Sequence, residues 1–513
     1  MSIIHGTPGD DRNDLGGSNL VGTGQSDTIY GYAGHDWLEG LGGNDYLLGG
    51  SGLNTIKAGG GYDYVSSTGL GGWFDGGAGA DILDLSGTAS PGAFDLALGS
   101  GRFGAQSPSG AGAFTMMNFE SIYTGGGSDM LWGTEGNNEM RAGGGADAAY
   151  GRNGADTLRG EFGDDYLDGG RGQDFLNGGE GRDTLYGAED ADQLYGEGGE
   201  DKLFGGDGDD VLNGGIGSDV IDGLSGYDTM SVNGLGSGTT VDARTGLVYA
   251  THGGVTDIDQ FYRIEKVVGS YWNDTIILTD TMAADASTGN DVVHSGSGGN
   301  SIKGGLGTDT VSYALSTAAV NVNLGTGAAG GGWATGDALE SIENLTGSDF
   351  ADTLRAGPVG STLEGGLGRD KLLGSSGADR LVGGAGGDEL TGGAGADRFV
   401  FRAQGDSPWQ SNDHDVIKDF QRGVDKIDLS GIDANQHLSG NQAFDTLIHS
   451  TWPYEDFRFD AATIAISSVG GGVMVSLNLR NLEEGSVQHP YDAIEMSFTV
   501  EGCYSLDATD FIF

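Results

Sequence analysis

Basic residues are scarce in this 513-residue chain: 24 Lys and Arg stand against 75 Asp and Glu, a formal net charge of −51. That balance argues against nucleic-acid binding, because phosphate neutralisation needs clustered Lys and Arg. Adsorption to an anionic membrane is disfavoured for the same reason. Seven prolines cannot support a Gly-X-Y triple helix. The single cysteine, Cys503, rules out an internal disulfide framework. No apolar run approaches the roughly eighteen residues a spanning helix needs, so no membrane insertion is expected. The start, Met1-Ser2-Ile3-Ile4-His5-Gly6, has neither a basic segment nor an apolar core, so no cleaved secretory signal is expected. Hydrophobic residues reach only 36%, below the roughly 45–50% of ordinary globular domains. Glycine, by contrast, is abundant, with 104 residues. Two classes survive: a disordered acidic chain, or a fold that needs cations.

The period decides between them. Aspartate recurs every nine residues at Asp147, Asp156, Asp165, Asp174, Asp183, Asp192, Asp201, Asp210, Asp219 and Asp228. Two residues after most of these comes an aliphatic, as in Leu158, Leu167, Leu176, Leu185, Leu194, Leu203, Leu212 and Ile221. Two residues before comes glycine, as in Gly154, Gly163, Gly172 and Gly181, with Asp190 the exception. The same frame holds at Asp27, Asp36, Asp45, Asn54 and Asp63, then at Asp81, at Asp291, Asn300 and Asp309, and at Asp370, Asp379, Asp388 and Asp397. Three coupled positions do not stay in register this long by chance.

Each position has a physical reason. Glycines permit positive φ and close backbone approach, so six residues can make a tight turn whose carbonyl oxygens point inward beside the aspartate carboxylate. Hard oxygen ligands of that kind suit Ca²⁺. The last three residues form a short strand whose one aliphatic side chain faces the interior. Two nonapeptides make one coil, placing a cation between aspartates eighteen residues apart, such as Asp156 with Asp174 or Asp165 with Asp183. One buried aliphatic per nine ordered residues is too little to fold the chain by burial alone, so much of the folding free energy is expected from metal binding. Roughly fifteen to twenty divalent ions would offset about 30 to 40 of the negative charges. The expected ligands are Asp27, Asp36, Asp45, Asp63, Asp81, Asp147, Asp156, Asp165, Asp174, Asp183, Asp192, Asp201, Asp210, Asp219, Asp291, Asp309, Asp370, Asp379, Asp388 and Asp397.

This Gly-Gly-x-Gly-x-Asp-x-(Leu/Ile)-x pattern resembles the calcium-binding repeats of RTX proteins, over more than half of the chain. The resemblance implies an all-β fold, a parallel β-roll or β-helix. The expected order is a repeat block at 1–83, an excursion at 84–123, a central block at 124–230, an excursion at 231–273, a short block at 274–311, an excursion at 312–350, and a final block at 351–400. Alternation such as Val320, Val322 and Leu324 makes the excursions half-buried β-hairpins that leave and rejoin the stack. Residues 401–513, with Asp415-Val416-Ile417-Lys418-Asp419-Phe420 and Asp425-Lys426-Ile427-Asp428-Leu429, resemble the C-terminal domain of serralysin-type secreted metalloproteases. That family resemblance implies a β-rich cap and an uncleaved signal for type I (ABC-transporter) secretion, here Asp507-Ala508-Thr509-Asp510-Phe511-Ile512-Phe513. The chain departs from the family pattern between about Thr463 and Glu501.

No familiar catalytic motif accompanies the repeats. The eight histidines form no His-Glu-x-x-His zinc site, and neither a Gly-x-Ser-x-Gly elbow nor a phosphate-binding loop occurs. Cys503 reads as a packed small hydrophobe. A less recognisable site could draw on His252, Tyr262 and Arg263, or on Trp452 and Tyr454, and Trp73, Trp132 and Trp333 could stack on sugars; packing is the simpler account of all of them. The expectation is an extracellular, multiply calcium-bound protein without catalysis, folding as it leaves the exporter and acting structurally, with glycans or itself as partner. The alternative is a carbohydrate-active enzyme, a lyase or epimerase of uronate polysaccharides, or a module of one.

Overall fold

The computed structural model describes residues 2–12, 18–69, 71–88, 90, 92–97, 100–103, 113–407, 414–432, 446–450, 463–469, 471–478, 494–503 and 505–513. Among them there is no α-helix; the regular structure is strand, with three 3₁₀ turns. The chain divides into two compact units, residues 1–236 with 246–268, and residues 237–245 with 269–513.

The coil of the first unit follows from the nonapeptide. The strand Thr157–Phe162 pairs in parallel with Phe175–Glu180, Leu158 beside Leu176. On the opposite face Tyr166–Arg171 pairs with Thr184–Glu189, Leu167 beside Leu185. Each coil is therefore eighteen residues, two turns and two strands. Within a strand the aliphatic points inward and its neighbours outward, so Leu158, Leu167, Leu176, Leu185, Leu194, Leu203 and Leu212 are fully buried in one narrow stack. This is a parallel β-roll, and its thin core explains the low apolar content. Aromatic rings run along the outside of one face, from Trp132 through Tyr150, Tyr166 and Tyr186 to Phe204, with centroids 4.7–6.0 Å apart.

Glycine is indispensable where turns stack. Gly163 has φ 122°, and a Cβ on it would lie 1.4 Å from the carbonyl oxygen of Gly145 one coil earlier. No side chain fits there.

The excursions rejoin the coils through their own strands. The first is an antiparallel meander, Gly92–Asp95, Ser100–Phe103 and Ala113–Met117. Its outer strands pair in parallel with the roll, Phe94 beside Leu131 and Met116 beside Phe74. In the second, Leu247–His252 pairs antiparallel with Val255–Tyr262, which lies parallel to Val220–Ser225. The third excursion belongs to the second unit, where Asn321–Asn323 pairs antiparallel with Ala328–Gly330 and parallel with Thr353–Arg355.

The second unit ends in a change of strand direction. Asp415–Ile417 pairs in parallel with Ile494–Glu501, which is antiparallel to Gly472–Asn478, itself antiparallel to Thr463–Val469. Val473, Val475, Leu477, Met496, Phe498 and Val500 are buried here, and the Phe498 ring stacks on Phe401 with centroids 4.3 Å apart. The terminal strand Phe511–Ile512 lies parallel to Lys426–Asp428, and Arg422 ties down its approach through Asp507 and Asp510.

Candidate metal centre

All twenty aspartates expected as ligands stand on the turn edges, each no more than 3% exposed. They form hydrogen-bonded ladders. The Asp147 amide donates to Oδ1 of Asp165, Asp165 to Asp183, and Asp183 to Asp201, each at 2.8 Å. The alternate edge repeats this from Asp156 to Asp174 at 2.7 Å and from Asp174 to Asp192 at 2.8 Å. Each carboxylate thus spends one oxygen on the backbone of the preceding coil.

The other oxygen decides what the ladder can do. Oδ2 of Asp36, Asp45, Asp63, Asp81, Asp147, Asp156, Asp165, Asp174, Asp183, Asp192, Asp201, Asp210, Asp219, Asp228, Asp291, Asp309, Asp370 and Asp397 is buried without a hydrogen-bond partner. Where the fifth residue before the aspartate is glycine, this oxygen faces a cradle over that glycine; before Asp63, Asp147 and Asp291 that residue is Ala58, Ala142 or Ala286. A Cβ on Gly160 would lie 2.2 Å from Oδ2 of Asp165 and 2.5 Å from the carbonyl oxygen of Gly178. The same pairing recurs at Gly151, Gly187, Gly196 and Gly365. Burying an unpaired carboxylate oxygen is costly, so an array of them implies a missing positive partner.

Electrostatics agree. Burial pushes the Asp165 carboxyl up to about 7 against the lowering effect of the Asp147 amide, and Asp183 and Asp164 add repulsion. For Asp192, Asp201 and Asp370, again chiefly through burial, the value rises to about 8. An oxygen-only donor set suits a hard divalent cation such as Ca²⁺. Among the described residues no three His, Cys, Asp or Glu side chains converge on one point, so most ligands of a cation here must be backbone carbonyls, as the glycine turns provide.

Backbone conformation four residues before the aspartate selects the open cradle. That residue has positive φ in every rung whose Oδ2 is unpartnered, even where it is not glycine: Tyr32, Leu41, Arg152, Glu161, Ala188, Glu197, Leu224 and Ser287 adopt φ of 71–86°. Non-glycine residues held in this costly region mark a conformation the surrounding structure imposes. Where a Ser or Thr with ordinary φ stands there instead, it closes the cradle. Thr23 donates both its amide and its hydroxyl to Oδ2 of Asp27, and the Ser375 amide donates to Oδ2 of Asp379 at 2.6 Å. Asp274 and Asp352 are closed alike by Ser270 and Ser348.

Further ladder members stand beside the expected twenty, Asp129 and Asp352 within the nine-residue frame and the others outside it. Asp129 precedes Asp147 by one coil; Asp274, Asp352, Asp415 and Asp425 extend the ladders of the second unit. Steps of 17, 27 and 28 residues, at Asp274–Asp291, Asp388–Asp415 and Asp397–Asp425, hide Asp274, Asp415 and Asp425 from the period. Asp259 and the glutamates Glu120, Glu265 and Glu343 accept the last amide of a ladder beside an excursion. The Asp-x-apolar triplet, or its Glu-x-apolar equivalent, is the signal that finds most of them.

Among the described residues, His252 does not meet Tyr262 and Arg263 in one site. His252 lies across from Val255, and Tyr262 is seven extended residues further on, roughly 23 Å at about 3.3 Å per residue. Arg263 is paired with Asp222, and the Tyr262 hydroxyl donates to Gln260 at 3.0 Å. Trp73 packs under the Lys57 ammonium, 5.5 Å from its ring centroid, and Trp132 stacks on Tyr150. Trp333 is half-buried, its amide donating to the Ser316 hydroxyl. The buried Cys503 thiol donates to the Ser505 carbonyl at 3.0 Å. Trp452 and Tyr454 lie outside the described residues.

Known proteins carry the same signatures. The RTX calcium-binding nonapeptide repeat family (4 copies) matches residues 14–47, 21–56, 123–158, 142–176, 150–185, 168–203, 195–230 and 285–314. The Peptidase M10 serralysin C-terminal family matches residues 363–464, ending where the departure from that pattern was expected to begin. No curated protein matches the chain. Among solved structures it is similar to the AlgE6R3 subunit of an Azotobacter vinelandii mannuronan C5-epimerase, at 27% identity over 32% of this chain and 79% of that one, with a TM-score of 0.22. The AlgE6R2 subunit of that enzyme is similar at 27% identity over 33% and 92%, TM-score 0.23. Extracellular lipase LipA from Serratia marcescens is similar at 15% identity over 67% of this chain and 40% of the lipase, TM-score 0.21. The chain carries RTX calcium-binding nonapeptide repeats and, C-terminal to them, a segment of the serralysin C-terminal type.

Proposed function

We propose that this protein is an extracellular calcium-binding roll, exported by a type I machine, that folds on meeting calcium and serves structurally or in surface interactions rather than in catalysis. The observation that carries the reading is the run of buried, unpartnered Oδ2 atoms facing glycine carbonyls on the turn edges. The aspartates with open cradles are the proposed ligands, in many sites along the roll. Bound calcium supplies the positive partner these oxygens lack and cancels the repulsion along each ladder. At submicromolar calcium a chain of net charge −51 stays open; at the millimolar level typical of extracellular modules it folds. Glycans or further copies of the chain are the proposed partners.

Circular dichroism with and without EGTA tests the reading. The expected result is little regular structure in EGTA and a cooperative gain of β signal on adding calcium. A chain that is β-rich and melts cooperatively in EGTA would overturn it.

A further inference from the structure

Where each excursion rejoins the roll, a three-residue return replaces the nonapeptide turn: Asn118-Phe119-Glu120, Arg263-Ile264-Glu265 and Ser341-Ile342-Glu343. The three returns share one geometry. Their first residues have φ of 56°, 50° and 54°. Their glutamates accept, through Oε2, the amides of Asp81, Asp228 and Asp309 at 2.8, 2.8 and 2.9 Å. In each, the same aspartate's carbonyl accepts both the glutamate amide and the amide after it, at 2.9–3.3 Å. The recurrence is independent of the repeat, because none of the returns contains a glycine.

The returns rebuild the cradle that the lost turn would have made. A Cβ on Gly76, Gly223 or Gly304 would lie 2.3, 2.3 or 2.2 Å from the carbonyl oxygen of Asn118, Arg263 or Ser341. The same point lies 2.8, 2.4 or 2.5 Å from Oδ2 of Asp81, Asp228 or Asp309. Ordinary coils put a carbonyl one coil ahead, usually of glycine, in that place. The left-handed residue is what turns the substitute carbonyl toward the cradle. The three Oδ2 atoms are buried and without partners, on side chains no more than 1% exposed. Glutamate, one methylene longer than aspartate, reaches the amide although the turn is shortened.

We propose that these three junctions are calcium sites of a second kind, each formed by an aspartate Oδ2, the carbonyl of the left-handed residue and the junction glutamate, and that the ion pins the returning strand to the roll. The proposal rests on the reading that the roll binds calcium. A glutamate acting only as a hydrogen-bond acceptor is the competing account. Glutamine separates the two, since it keeps an acceptor oxygen and loses the charge.

The experiment is calcium titration of the full chain by isothermal calorimetry and circular dichroism, for Glu120→Gln, Glu265→Gln, Glu343→Gln and the triple variant. Glu501→Gln, exposed at the end of the strand Ile494–Glu501 and outside the nonapeptide turns, is the control. Each single variant is expected to bind one calcium fewer, or to bind it about tenfold more weakly, and the triple variant to lose three. Unchanged stoichiometry and midpoint in the triple variant would overturn the junction sites while leaving the nonapeptide sites standing. A parent chain that binds no calcium would overturn the wider reading as well. A variant that folds only at raised calcium supports the proposal, because mass action compensates a weakened ligand. One that folds at no calcium concentration counts against it, because the glutamate is then scaffold.

Discussion

The Asp165 amide donates to Oδ1 of Asp183 at 2.8 Å, while Oδ2 of Asp183 is buried with no partner. One oxygen therefore sets the register of successive coils, and the other stays outside the hydrogen-bond network. On the proposed reading, structure and metal binding are divided within a single carboxylate, which makes them separable by substitution.

Asp183→Asn keeps the Oδ1 acceptor and removes the charge. Asn54 is a natural precedent, its side-chain oxygen accepting the Asp36 amide at 3.1 Å. The variant should fold at saturating calcium and bind one ion fewer by calorimetry. Asp379→Asn, where Ser375 already closes the cradle, should leave the stoichiometry unchanged.

Turn glycines should differ sharply by position. Gly163→Ala drives a methyl into the Gly145 carbonyl and should raise the calcium midpoint of folding or break the roll locally. Gly24→Ala meets nothing within 4 Å and should shift stability by no more than about 0.5 kcal/mol. Calcium titrations and thermal melts of the two variants make the comparison.

Leu185 is fully buried in the inner stack. Leu185→Ala should destabilise the calcium-loaded roll by about 2–5 kcal/mol, read from urea unfolding at saturating calcium. The number of calcium ions bound by the folded variant should not change, since no ligand is touched.

Stability of the metal-free chain should rise as pH falls. Carboxyls whose folded values lie at about 7 for Asp156 and Asp165, and about 8 for Asp192 and Asp201, bind more protons folded than unfolded between roughly pH 4 and 8. Over that window each unit of rising pH disfavours the metal-free roll. Acidification in EGTA to about pH 5 should therefore increase β signal, while the calcium midpoint moves to higher concentration as protons compete for the same oxygens. A metal-free chain equally unstructured at pH 5 and pH 7.5 would contradict this.

Periodicity marked the aliphatic stack and twenty ladder aspartates, and the family resemblance it carries implied the roll, because each nonapeptide contains its own turn and strand and repeats the same local choice. It could not see Asp415 or Asp425, whose coils are lengthened to 27 and 28 residues. Nor did it separate Asp27 and Asp379 from their neighbours, although Thr23 and Ser375 were in view; the difference lies in a backbone dihedral rather than in the aspartate frame.

The glycine and acid excess left disorder open; the nine-residue spacing by itself determined a repeating glycine turn beside an aspartate and a core one side chain wide, since these are consequences of spacing along the chain. Only the tertiary structure decided which carboxylate oxygens are left without partners and where the excursions rejoin. Those depend on which coil a strand returns to and on the φ of a residue four positions away, and so on contacts between segments eighteen to forty residues apart.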